Sequence, residues 1–393
     1  MPVKDLGFRR AAPALAVFAA VRLLGLTVLA VWGAVAGSSP HTLLSARWDS
    51  LWYARIAAEG YGYEIVLPDG DVHSNLAFFP LLPWLERGVS AVTGLSYGSA
   101  GLVVSVLAGL AAAWGIFAVA DLLHGRRTAV FAVALWAALP VGIVQSMAYS
   151  EALFTALAAW ALYGALRGRW LTAGLLAAGA GLTRPVGAAV VAAVWVAAVL
   201  AWRSGERSRQ AGLPLQTGPV QDAASPAWSG GRALVGALLA PAGAAAYVLW
   251  VGAHTGGGLL GYLDVQAGWG NGFDGGWAFA RFVGAKLASS AWPAGLGLTT
   301  GVVLVLWLYG ACVRQRQPAP LLVYCGIVVA LALCASGYFG SKPRLLLPAF
   351  PLMLVPAVAL ARWRTRRAVL VLGAAALASA VYGAFWLNGS GPP

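Results

Sequence analysis

Charge is what this sequence has least of. Only 10% of its 393 residues are charged, while 60% are hydrophobic. Soluble domains carry about 25% charged residues, so an ordinary soluble fold is excluded. Disorder is excluded too, because it needs low hydrophobicity and high charge. Cysteine is nearly absent: Cys312, Cys325 and Cys334 all lie in or beside apolar runs. They support neither a disulfide framework nor a zinc site. There is no glycine-rich nucleotide loop, no internal repeat and no long Lys/Arg block. The net charge of +13 comes instead from short basic clusters between apolar runs. That pattern argues against a nucleic-acid partner and is the positive-inside signature of a membrane protein.

What is abundant is apolar sequence in long runs. A membrane span takes about 20 such residues. The first run covers Ala11 to Gly37, and others centre near residues 110, 137, 158, 177, 194, 242, 302, 328, 353 and 378. The expectation is an all-α polytopic membrane protein of about eleven transmembrane helices, a single domain over residues 1–393. Ala34-Val35-Ala36 has the look of a signal-peptide cleavage site, but the run before it is too long for one and contains Arg22. The runs near 177 and 194 are broken at Thr183-Arg184-Pro185, where proline suits the first turn of a new helix. With the N-terminus cytoplasmic, 17 of the 26 cations fall inside and 8 outside, Arg22 lying within the first span. Nine of the 13 acids fall outside. Residues 203–232 form the longest inner connection, a Gly/Ser/Pro/Gln-rich linker. Chemistry is therefore expected on the extracytoplasmic face of the cell membrane.

Two outer segments are long, from Ser38 to about Tyr97 (38–97) and from about Gly252 to Ser290. The first holds a candidate interfacial helix, Trp48 to Ala58, and the short apolar piece Phe78 to Pro83. On that helix Asp49 and Tyr53 share a face, with Trp52 beside them. A carboxylate among aromatics is partly desolvated and a better proton acceptor. Asp is also a favoured helix N-cap, and Trp and Tyr form interfacial belts. Pro68-Asp69-Gly70-Asp71-Val72-His73 offers two carboxylates and an imidazole to a hard cation, or is ordinary turn chemistry. His41 and His254 have no partner at metal-ligand spacing. Glu151 begins a span beside Ser150, either as a helix-terminal carboxylate or as a second acid of the site. Arg22 lies about 18 Å of helix beyond Arg10, at hydrocarbon depth, and needs a structural or functional partner. Arg184, Lys342 and Arg344 sit at outer span ends. They are placed either to meet a lipid-borne phosphodiester or to snorkel. The 18 tryptophans read mostly as interfacial anchors, with Trp269 placed to stack on a sugar ring.

The segment Trp48-Asp49-Ser50-Leu51-Trp52-Tyr53, followed by Ile56-Ala57 and Gly60-Tyr61, resembles the first outer loop of the PIG-V-like family. These are membrane mannosyltransferases related to the second mannosyltransferase of GPI-anchor synthesis. Later pieces resemble that family in order: Ala77 to Pro83, Tyr149-Ser150-Glu151, Thr183-Arg184-Pro185, Gln266 with Trp269, and Pro343-Arg344 to Pro348. Together they cover most of residues 10 to 385. The resemblance implies a type C glycosyltransferase fold and a sugar taken from a polyprenyl-phosphate carrier on the outer face. It also implies an acid of the first outer loop as base, usually one of a pair. Here Asp49-Ser50-Leu51 lacks the second acid, which leaves Asp49 as sole base in the motif and no obligatory divalent metal. The expected donor is polyprenyl-phosphate-mannose and the acceptor an extracytoplasmic lipid or glycan, with inversion at the sugar. Substrate contacts are expected from Arg22, Trp52, Tyr53, Glu151, Arg184, Gln266, Trp269, Lys342 and Arg344. A transporter or flippase for a lipid-linked sugar is the alternative. The single broken span and the acid-rich outer face disfavour it.

Overall fold

The computed structural model describes residues 7–68, 70–210, 230–389 and 391. Asp69 and residues 211–229 of the expected linker lie outside the described residues. Helix α1 (Phe8–Ala36) ends at Gly37, whose left-handed φ of 69° lets the chain turn back. The short α2 (Pro40–Ser45) is capped by the Ser39 side chain. The next helix, α3 (Asp49–Glu59), falls on the expected interfacial segment. A hairpin of β1 (Glu64–Val66) and β2 (Val72–Ser74), pairing Ile65 with His73, leads to α4 (Leu81–Thr93). Helix α4 buries Leu82, Pro83 and Glu86 and exposes Trp84 and Val92, as a helix lying in an interface does.

The bundle continues with α5 (Tyr97–His124), α6 (Arg126–Ala137), α7 (Ser150–Leu166), α8 (Trp170–Gly181) and α9 (Gly187–Gln210). After the linker come α10 (Gly230–Leu239) and α11 (Ala242–Thr255). The second long segment expected on the outer face holds α12 (Gly261–Gly268) and α13 (Trp277–Leu287). Then α14 (Trp292–Arg314), α15 (Ala319–Cys334), α16 (Lys342–Leu345), α17 (Leu354–Ala361) and α18 (Thr365–Asn388) complete the chain.

Each expected apolar run falls on helical backbone, but length alone supports fewer crossings than eleven. Among the described residues, six helical stretches are long and apolar enough to span, or seven if the pair Phe339–Leu345 and Phe350–Ala361, bent by 66°, counts as one. Helices α7, α8 and α15 are apolar but shorter. The prolines explain part of this: Pro185 follows the end of α8, and Pro348 and Pro351 fall within the bend. The protein is a multi-pass helical membrane protein.

Small residues set the helix spacing. A Cβ on Gly174 would fall 2.3 Å from the Gly236 carbonyl oxygen, and one on Gly243 2.0 Å from that of Ala178. Helix α8 therefore meets α10 and α11 backbone to backbone, which only glycine permits. The two ends of the bundle are tied by polar side chains. At one end Arg10 on α1 makes a two-point ion pair with Asp121 on α5, both contacts 2.7 Å. At the other, Ser38 bonds Asn388, and Arg47 Nη1 donates to the Leu387 carbonyl at 2.8 Å.

Candidate active site

The site lies at the end where α1 and α18 finish. Trp48 takes a φ of 53°, in the left-handed region that non-glycine residues rarely occupy. Arg47 covers the Trp48 ring at 4.1 Å. The Arg47 N–H donates to Ser50 Oγ at 3.0 Å, and the Ser50 hydroxyl donates to the Arg47 carbonyl at 2.7 Å. This tight turn makes Asp49 the first residue of α3. One turn on, buried Tyr53 donates its hydroxyl to Ser150 Oγ at 2.9 Å.

Ser150 and Glu151 open α7, and Glu151 is 1% exposed. Arg184, from the break between α8 and α9, pairs with Glu151 and donates to Ser150 Oγ at 3.3 Å. Arg344, on α16, joins the two acids: its Nη1 is 2.8 Å from Asp49 Oδ2 and its Nε 3.3 Å from Glu151 Oε1. Residues 295 positions apart in sequence thus form one chain of alternating charge, Asp49–Arg344–Glu151–Arg184. The Arg344 contacts are ion pairs by distance without aligned hydrogen bonds. Nε and Nη1 of Arg344, and both Glu151 oxygens, have no hydrogen-bond partner among the described residues. The Arg344 guanidinium lies over the buried Tyr149 ring at 5.0 Å.

Lys342 sits two residues away with a different set of contacts. Its Nζ donates to the carbonyls of Ala332 (2.8 Å) and Ala335 (2.6 Å), closing the end of α15. It also faces the rings of Phe279 and Phe339 at 4.8 and 5.4 Å. Beside it opens an apolar cavity of about 300 Å³, lined by residues including Phe279, Val302, Val305, Leu333, Lys342 and Leu346. Arg22 is placed elsewhere: its guanidinium bonds the carbonyls of Ala137 and Gly142, where α6 ends. The structure thus gives Arg22 backbone partners and does not join it to the charged chain.

Trp52 stacks on Phe78 at 5.6 Å and meets the Trp269 ring edge-on at 4.9 Å. His73 stacks on Trp269 at 4.1 Å, and Trp269 Nε1 donates to the Ser74 carbonyl at 3.0 Å. Gln266 Nε2 donates to the Ala77 carbonyl at 3.3 Å and to the Tyr262 hydroxyl at 2.6 Å. Gln266 and Trp269 therefore pin the segment of α12 onto that of the hairpin, forming an aromatic wall beside α3. Among the described residues no three His, Cys, Asp or Glu side chains converge on a metal position.

Two buried groups leave little trace in the sequence. Tyr149 stands out there only as the neighbour of Ser150-Glu151. Glu86 on α4 is fully buried with neither carboxyl oxygen hydrogen-bonded among the described residues. Burial pushes its carboxyl up to about 9. The only sequence signal for Glu86 is an acid on the apolar face of an amphipathic helix.

Comparison with known proteins bears on this arrangement. A family model described as dolichyl-phosphate-mannose-protein mannosyltransferase matches residues 75–215, about a third of the chain. That stretch contains Glu151 and Arg184 but not Asp49 or Arg344. No match is found among curated proteins. The structure of ArnT from Cupriavidus metallidurans bound to undecaprenyl phosphate is similar with a TM-score of 0.52 at 14% identity, covering 90% of this chain and 62% of that one. The archaeal oligosaccharyltransferase AglB from Archaeoglobus fulgidus, in complex with an inhibitory peptide and a dolichol-phosphate, gives 0.48 at 14% identity, over 94% and 56%. This chain spans about three fifths of the ArnT length. The likeness is one of fold: a predominantly helical membrane architecture shared with ArnT.

Proposed function

We propose that this protein is a membrane glycosyltransferase that moves a mannosyl residue from a polyprenyl-phosphate-mannose donor to an extracytoplasmic lipid or glycan acceptor. The observation that carries the reading is the junction of Asp49, Arg344, Glu151 and Arg184 at one bundle end, next to an apolar cavity. Support for the chemistry comes from the protein-mannosyltransferase match and from the undecaprenyl phosphate bound to ArnT. The PIG-V-like subfamily is supported by the Trp48–Tyr61 motif, which lies outside the matched stretch.

Asp49 takes the proton of the acceptor hydroxyl, and that oxygen attacks the anomeric carbon. The bond from that carbon to the carrier phosphate breaks with its electron pair. Charge growing on the phosphate falls to Arg344 and Arg184, whose planar donors match its oxygens. Attack from the face opposite the phosphate inverts the centre, so a β-linked donor yields an α-mannoside. The first isoprene units of the carrier are placed in the apolar cavity beside Lys342, and the rest of the chain in the bilayer. Trp52 and Trp269 stand on the side of α3 where an acceptor glycan approaches. A phosphate leaving group needs no nucleotide and no obligatory divalent ion, so activity should survive chelation.

The test is transfer of labelled mannose from purified polyprenyl-phosphate-mannose to candidate acceptors by the full chain in vesicles, with Asp49→Asn alongside. Transfer unaffected by Asp49→Asn, or donor consumption with no glycosylated product, sinks the reading. Sidedness is tested with single cysteines, replacing the natural ones. Position 66, exposed on the hairpin, should react from outside, and position 315, between α14 and α15, only after permeabilisation.

A further inference from the structure

We infer that the Arg344–Asp49 pair is a latch: a lipid-borne phosphate takes Arg344, and only then is Asp49 released to accept a proton. The inference rests on the reading of Asp49 as base and Arg344 as phosphate partner, and adds a coupling between the two.

Charge balance within the four-residue chain decides which group is let go. Without donor, its two guanidiniums face two carboxylates. An arriving phosphate adds a negative charge, and one carboxylate must yield its cation. Glu151 is buried and keeps Arg184 whichever way Arg344 turns. Breaking up a buried pair is strongly unfavourable. Asp49 is the exposed member, its side chain 25% accessible against 1% for Glu151. It can face solvent or an acceptor hydroxyl at little cost, so Asp49 is the partner released.

Geometry makes the exchange easy. Arg344 touches both acids without aligned hydrogen bonds, so Nε and Nη1 hold unused donor capacity in a site nearly closed to water. A phosphate presents oxygens that take parallel N–H bonds from one guanidinium, stronger than a misaligned contact. The Tyr149 ring beneath Arg344 is a flat plate on which the guanidinium turns without losing its cation–π contact. Tyr149 is thereby a positioning residue. The latch also keeps the base engaged while no donor is present, which imposes donor-first binding.

The experiment measures binding of farnesyl phosphate to the full chain in detergent micelles. If Asp49 competes for Arg344, Asp49→Asn binds farnesyl phosphate more tightly than wild type, by roughly two- to tenfold, the range of a partly exposed ion pair. Asp49→Ser should change it in the same direction, guarding against a folding artefact of one substitution. In the Arg344→Ala background the gain should vanish, the double variant binding no better than Arg344→Ala alone. Equal binding by wild type and both Asp49 variants overturns the latch. So does a gain that persists without Arg344, since that is plain charge repulsion. Transfer measured on the same preparations separates the two ideas. An active Asp49→Asn removes the base reading, whereas an inactive one that binds no tighter removes the latch alone.

Discussion

The bundle around α5 and the region around α14 are built to opposite rules. In α5, 61% of the most apolar window is buried, and in α14 only 11%. The first region is closed by alanine and glycine contacts and by fully buried Trp136, Trp170 and Phe154. The second exposes Val303, Leu304, Leu306 and Trp307 and borders the apolar cavity. Glu151 and Arg184 sit on the packed region, Asp49 beside it on α3, and Arg344 and Lys342 on the bent α16. Groups that must hold a fixed geometry are set on rigid, dense packing. The surface left open is the one that would have to admit a long, flexible chain.

Substitutions at four positions break or sharpen that contrast. The largest effect belongs beside the packed region: Asp49→Asn should cut turnover by about 10²–10⁴-fold, the usual contribution of a positioned base, with folding intact. A variant keeping a tenth of the wild-type rate would remove Asp49 from that role. Next comes the contact between regions. Arg344→Ala should weaken donor binding by about 10- to 150-fold, since a hydrogen bond to a charged group is worth about 1.5–3 kcal/mol. Arg344→Lys should restore only part of this because it lacks the two-point fork. Unchanged donor KM and kcat in both would make Arg344 an anchor and nothing more.

The third acts on the open region alone. Gly301 lines the cavity, and a side chain there meets open space. Gly301→Leu should therefore fill the cavity without unfolding the helix. The expected result is a donor KM raised roughly tenfold for farnesyl and longer carriers alike, about 1.4 kcal/mol of lost tail burial. An unchanged KM for both carriers would place the tail elsewhere. The smallest effect probes an exception in the packed region. Glu86 holds its proton up to about 9 in the fold, whereas an unfolded carboxyl releases it near 4.5. The folded state therefore loses stability as pH climbs through that window, and the loss levels off above it. Glu86→Gln should flatten this slope, raising Tm at pH 8 by roughly 2–4 °C per kcal/mol recovered. Parallel Tm–pH curves for the two proteins would show that Glu86 is already ionised in the fold.

Local chemistry made much of this legible in the sequence. The apolar runs declare a membrane bundle, and the α3 motif marks its own helix through Asp49 and its aromatics. Ser150-Glu151 and Thr183-Arg184-Pro185 flag helix starts and breaks. Long-range pairing did not show. Nothing near Asp49 in sequence says that its cation comes from residue 344, or that Lys342, two positions earlier, instead closes the end of α15. Arg22 announced only that it needed a partner. That its partners are main-chain carbonyls at the end of α6 depends on how α1 packs. Span counting was limited for a related reason. Hydropathy sees apolar composition but not where proline and glycine stop a helix short.

The glycine seam joining α8 to α10 and α11 bears on how the chain is assembled. Its contacts run between residues on either side of the join from Gln210 to Gly230. Two open reading frames, one ending after α9 and one beginning at α10, would each carry half of the seam. The first product would bring Asp49, Glu151 and Arg184, and the second Arg344. Neither product would hold the whole set of charges until the two halves met in the membrane.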